Sequence, residues 1–216
     1  MLTEYNAFRS PMFIYQDLVT HPESFIEIAK WTYVQEHSSH GGKEEQSDKD
    51  RQVAENKALI GYRLLNHINV IPGVSQEGVI DKQKLNAWID RVRQLASEAD
   101  RVKSVDSCIG RMLAQFPRRG EDAPPEEICE VIERLASEEV CSGYRIGLQN
   151  KVGVTVRSPY AGGEIERGRA ALYTRLADLQ RNRFPAVAAI FEDIAQTYTE
   201  FGLMEDREAK LSALEY

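Results

Sequence analysis

Cysteine and histidine are both scarce in this chain. Cys108, Cys129 and Cys141 are odd in number and lack C-x-x-C spacing, which points away from a disulfide framework and from a zinc knuckle. The four histidines, His21, His37, His40 and His67, form no H-E-x-x-H pair, and neither a P-loop nor G-x-S-x-G accompanies them. The sequence therefore names no catalytic residue, no metal ligand and no cofactor. No run approaches the ~20 apolar residues needed to cross a bilayer, and the opening MLTEYNAFRS lacks the basic-then-apolar order of a signal peptide. The expectation is a non-enzymatic cytoplasmic protein with reduced thiols and no membrane partner. Strand patterning is confined to Val152–Val156 (VGVTV), which is too short to make a sheet.

Helical spacing fills the rest of the 216 residues, 42% of them apolar. Tyr5, Phe8, Met12, Phe13, Ile14 and Leu18 make the opening too apolar for a loose tail. Thr20-His21-Pro22-Glu23 reads as a hydroxyl cap with proline in the first turn. The helix that follows, with Phe25, Ile26, Ile28, Ala29, Trp31, Tyr33 and Val34, has apolar residues on nearly every side and is expected to be largely buried. Residues 38–50 (SSHGGKEEQSDKD) hold no apolar side chain and read as a disordered loop.

Ala54, Ala58, Gly61, Leu65 and Ile68 then recur at helical spacing. Asp81 caps a helix with Leu85, Trp88, Ile89, Val92, Leu95, Ala96 and Ala99 inward. Val105, Cys108, Ile109, Met112, Leu113 and Phe116 form a shorter one before Pro117, and Ile128, Val131, Ile132, Leu135 and Ala136 line another. Two closing helices present Ile165, Gly168, Leu172, Leu176 and Leu179, and Val187, Phe191, Ile194, Tyr198 and Phe201, with Phe184-Pro185 between them. The prediction is an all-α fold: about eight helices in an irregular bundle or short α-solenoid-like stack, ending in an antiparallel helical hairpin. Residues 1–142 form an N-terminal helical part and 143–216 a glycine-rich turn region with the hairpin, in one continuous domain.

Charge is unevenly placed. The formal total is −7, yet Tyr144 to Arg183 carries eight basic against three acidic residues, a +5 segment that leaves −12 to the remainder. Within it Gly162-Gly163 precedes a helix start, where backbone N–H groups favour anions, and Arg157, Arg167 and Arg169 are near in sequence. The competing reading is that Glu164 and Glu166 already satisfy that helix start and the glycines only turn the chain. Asn150 with Gly153 reads as a helix end, beside Arg145 and Lys151, and Tyr160 after Ser158-Pro159 as an exposed partner contact. The candidate binding residues are thus Arg145, Asn150, Lys151, Arg157, Tyr160, Gly162, Gly163, Arg167 and Arg169. The partner is another protein or another domain of a larger chain; the alternative is a phosphate-bearing ligand, nucleic acid or nucleotide, held by the basic 144–183 segment. The oligomeric state is open.

Tyr62-Arg63-Leu64-Leu65, Pro72-Gly73, Ile80-Asp81, Trp88, Gly147-Leu148 with Asn150, Gly153-Val154, Gly162-Gly163 with Glu166-Arg167, Pro185, and Ala195 with Tyr198 together carry a resemblance. From about Ala54 to Ala209 the chain resembles the helical C-terminal region of large, poorly characterised bacterial multidomain proteins. That family tends to place arginine just before the first glycine of the N-x-x-G turn, where this chain has Val152 preceded by Lys151. The resemblance implies a bacterial cytoplasmic origin and an accessory role, and it brings no catalytic activity.

Overall fold

Among the residues that the computed structural model describes are nine α-helices and one isolated antiparallel bridge, Val74 with Ile80. The described residues are 10–37, 47–75, 77–117, 123–151, 158 and 161–212. The all-α expectation holds. The chain divides into two compact units, Met1–Pro117 and Arg118–Tyr216, each with its own core. Among the described residues no helix is long and apolar enough to cross a membrane.

In the first unit α1 (Ser10–Thr20) and α2 (Pro22–Thr32) are joined through His21 alone. The Thr20 hydroxyl donates to the Gln16 carbonyl at 2.7 Å. It closes α1 and does not cap α2, contrary to expectation, because α1 runs through it. His21 holds the N-cap position without a side-chain bond, and Pro22 supplies the fixed φ of the first turn. Phe25, Ile26, Ile28 and Ala29 of α2 point inward. The helix is less buried than its composition suggests: Trp31, in its last turn, is 43% exposed, and Val34, beyond its end, is 76% exposed.

Helix α3 (Asp48–His67) starts six residues before Ala54, the first of its expected apolar set. Ser47 accepts the Asp50 N–H at 3.3 Å, and Asp48 and Asp50 suit the positive end of the helix dipole. The expected loop of 38–50 is therefore corrected at its end, and 38–46 lie outside the described residues. Ala54 is exposed and Ala58 only half-buried, while Gly61 and Leu65 are buried.

Asp81 caps α4 (Lys82–Glu98) as its sequence predicts, accepting the Lys84 N–H at 3.0 Å. Trp88 meets Phe25 edge-to-face at 5.2 Å and donates its indole N–H to the Leu18 carbonyl at 3.2 Å, tying α1 and α2 to α4. The Arg93 guanidinium grips the carboxylate of Asp106, on α5 (Val102–Leu113), at 2.9 and 3.2 Å. Asp106 is almost fully buried, so this two-pronged contact supplies the partner a buried carboxylate requires.

The second unit holds α6 (Glu126–Leu135), α7 (Glu138–Asn150), α8 (Glu164–Gln180) and α9 (Pro185–Ser212). Ala136, expected inward, is exposed at φ +46, the left-handed turn that stops α6. Ser137 then caps α7, which ends at Asn150 as expected, so the first part of the glycine-rich turn region, 143–150, is helix, with Gly143 and Gly147 buried. The division anticipated at 142/143 falls inside this helix. The VGVTV segment lies outside the described residues.

Helices α8 and α9 form the expected antiparallel hairpin, with Phe184 buried and Pro185 opening α9. Glu133 of α6 accepts the Val187 N–H at 3.1 Å, satisfying one of the orphan donors of α9. The inner line Val187, Phe191, Ile194 and Tyr198 is buried as expected, but Gly202 and not Phe201 continues it. The seam of α8 is rotated from the expected one. Glu166, Ala170, Tyr173, Leu176 and Ala177 are buried, Gly168 is exposed, and Leu179 is 65% exposed. Tyr173 decides the rotation: it stacks on Tyr198 at 6.0 Å and meets Phe191 at 5.9 Å, and an aromatic ring buries more area than a leucine.

Candidate functional site

Two places in the fold offer themselves. One is the glycine turn before α8, which the sequence singled out. The other is a cleft between α1 and α2, which it did not.

At the glycine turn the two hairpin helices touch through their backbones. Gly162 adopts φ +60, and a Cβ there would stand 2.7 Å from Asp206 Oδ1. A Cβ on Gly163 would be 2.2 Å from the Gly202 carbonyl oxygen and 2.5 Å from its Cα, so only hydrogen fits. This approach brings the last turns of α9 over the first turn of α8. Gly163 donates its N–H to Asp206 Oδ1 at 2.8 Å, and Arg167 donates to Oδ2 at 2.7 Å. The place where an external oxyanion would bind thus holds the chain's own carboxylate. Asp206 therefore makes the anion contact, rather than Glu164 or Glu166 as the competing reading had it. The Gly163 N–H, and then Arg167, hold the Asp206 carboxyl below the usual carboxylate range.

With the folded pKa depressed, the contribution of Asp206 to stability is present above the unfolded value of about 3.9. It is lost as pH falls through the folded value. Acid titration of thermal stability is expected to show this loss in the native chain and a flatter curve in Asp206→Asn, whose midpoint at neutral pH is lower. Identical acid limbs for the two proteins would contradict the assignment.

The other predicted site residues are dispersed. Arg169 lies over the Tyr198 ring at 5.4 Å. Arg145 faces Asp193 at 3.8 Å. Asn150 is the exposed last residue of α7 and Lys151 its C-cap. Arg157 and Tyr160 lie outside the described residues. Nearby cations of the basic segment are also matched: Arg181 with Asp178 at 2.9 Å and Glu192 at 2.6 Å, Arg183 with Glu126. The structure joins Gly162, Gly163 and Arg167 in one cluster, and around Asp206 and Gly202 that cluster is internal. Neither Asp206 nor Gly202 stands out in the sequence as a partner of this turn. The signal was present, because an antiparallel hairpin turning at 181–184 places the 202–206 turn opposite 162–167.

The α1–α2 cleft has a volume of about 560 Å³ and is lined by Phe13, Ile14, Leu18, Ile28 and Trp31. Its rim carries Asp17, Glu23 and Glu27, which pair with His21, Arg91 and Lys30. Phe13 is 74% exposed. Lys57 of α3 lies over the Trp31 ring, 5.8 Å from its centroid. In α3, residues 48–60 include no buried position, and Val53, Leu59 and Ile60 are about half exposed. Of the fifteen large apolar residues exposed among the described residues, eight fall between Phe13 and Tyr62, so uncovered apolar surface is concentrated on α1 to α3.

No protein family, curated protein sequence or solved structure matches this chain.

Proposed function

We propose that this chain is a non-enzymatic, all-helical protein-interaction or scaffold module, an accessory part of a larger bacterial protein or complex in the cytoplasm. The observation that carries this reading is the concentration of large uncovered apolar side chains on α1, α2 and α3, around a cleft already formed between the first two. Clustered apolar exposure of this kind is what a second helical surface covers. The bacterial and accessory parts of the reading rest on the family resemblance alone. A phosphate-bearing ligand on the basic segment is the weaker alternative, because Arg145, Arg167, Arg181 and Arg183 already face carboxylates of this chain.

The test begins with the tagged chain crosslinked in its source cell, followed by purification of the protein captured and measurement of its affinity. Phe13→Asp with Trp31→Asp is expected to weaken that complex at least about thirtyfold, as loss of central anchors does. Hydrogen exchange in the complex should slow across α1 and α2. Unchanged affinity in the double variant, or protection confined to the second unit, would remove the reading. Salt-sensitive binding to nucleic acid that is lost in Arg145→Ala with Lys151→Ala would favour the alternative.

A further inference from the structure

Helix α4 ends in a pattern that normally calls for glycine. The Arg101 N–H returns to the Ala96 carbonyl at 2.9 Å and the Asp100 N–H to the Ser97 carbonyl at 3.2 Å, the paired bonds of a Schellman turn. The left-handed position between them is filled by Asp100, at φ +55. An L-residue is strained there, and an observed outlier of this kind motivates a search for what its side chain does.

What it does is visible in residues 33–37, the connector that leaves α2. Asp100 Oδ2 accepts the backbone N–H of His37 at 2.8 Å, and Oδ1 faces His37 Nδ1 at 2.5 Å. The Asp100 carbonyl accepts the Glu36 N–H at 2.9 Å. Two more bonds flank these: Lys103 donates its backbone N–H to Glu36 Oε1 at 2.6 Å, and Arg101 donates Nε–H to the Tyr33 carbonyl at 2.7 Å. Of the five, the ring contact alone depends on a group that titrates near neutrality.

We infer that His37 and Asp100 form a pH-sensitive latch holding residues 33–37, which follow α2, against the α4–α5 corner. Asp100 above all, and Glu36 beside it, raise the imidazole above its ordinary value, while Lys103 opposes them. His37, with Arg101 assisting, keeps the Asp100 carboxyl below its usual range. A raised histidine contributes fully below its unfolded pKa of about 6.5, and that contribution is lost as pH rises through the folded value. The latch is therefore tightest in mild acid and slackens on the alkaline side of its midpoint, without disengaging, because the backbone bonds remain. Val34 rides on this connector, so the latch also sets one edge of the face proposed above for partner binding. That consequence rests on the interaction reading; the latch does not.

The test uses the whole chain without any partner. The His37 ring is titrated by proton NMR, and exchange of the Glu36 and His37 amides is compared with α5 amides across about pH 5.5 to 9. The native chain should give a His37 midpoint above that of an exposed histidine. Its connector amides should lose roughly two- to fivefold of their relative protection through that midpoint, as exposed ion pairs allow. Asp100→Asn should return His37 to its ordinary midpoint and flatten the exchange profile. Asp100→Gly, which relieves the left-handed strain, should fold at least as stably as the native chain yet also lose the pH response. An unshifted His37 in the native chain, or a pH response that survives either substitution, would overturn the latch. Failure of the partner-binding test alone would leave it standing.

Discussion

Gly163→Ala is expected to lower the stability of the chain by about 3 kcal/mol, toward the upper end of what overpacking a tight contact costs. The added methyl would fall 2.2 Å from a backbone oxygen and 2.5 Å from a Cα of Gly202. Neither is the far end of a flexible side chain, so the helices themselves must part. Parting them also withdraws Asp206 from the Gly163 N–H and from Arg167. The variant should therefore show two linked changes: a lower urea midpoint, and an Asp206 carboxyl that titrates nearer its ordinary range. Gly168→Ala is the control, five residues on and inside α8, where an added Cβ meets nothing within 4 Å. There the change should stabilise by about 0.5–1 kcal/mol, since alanine is the better helix former. Equal effects at the two positions would mean that helix propensity and not contact governs this turn.

Phe191→Ala should have the larger effect, about 3–5 kcal/mol, the range for emptying an aromatic site in a packed core. Phe191 is fully buried and lies against Tyr173, which in turn stacks on Tyr198. Truncating it removes the ring around which the α8–α9 seam is set. Phe191→Leu, which keeps most of the volume, should cost roughly 1 kcal/mol. Urea denaturation followed by circular dichroism distinguishes the two, and a loss below about 1 kcal/mol for the alanine variant would show that the seam closes around the gap.

These expectations depend on details with different degrees of visibility in the sequence. Helix type and order were legible because periodicity is a backbone property. The stripe of α4, the inner line of α9 as far as Tyr198 and the Asp81 cap all follow from the sequence. What failed was the choice between faces. On α8 the leucines and the Tyr173 line lie on neighbouring arcs, and only the aromatics of α9 decide which one turns inward. Trp31 failed for a related reason, since an apolar residue at a helix end is inside only if another element reaches it. At 162 and 163 the sequence shows a glycine turn before a helix start, but not the close approach to Gly202 that the turn permits. The purpose of the two glycines was misjudged because Asp206 is more than forty residues away and reaches them only through tertiary packing.

The Asp206 contact bears on what the cationic turn can attract. A carboxylate carried by the same chain competes at an effective concentration in the millimolar range or above. A free phosphate arriving at the start of α8 must displace it, so its apparent affinity is lowered in proportion. Whatever positive potential this end of the hairpin projects is spent first on its own tether, and an outside anion succeeds only by bringing additional contacts of its own.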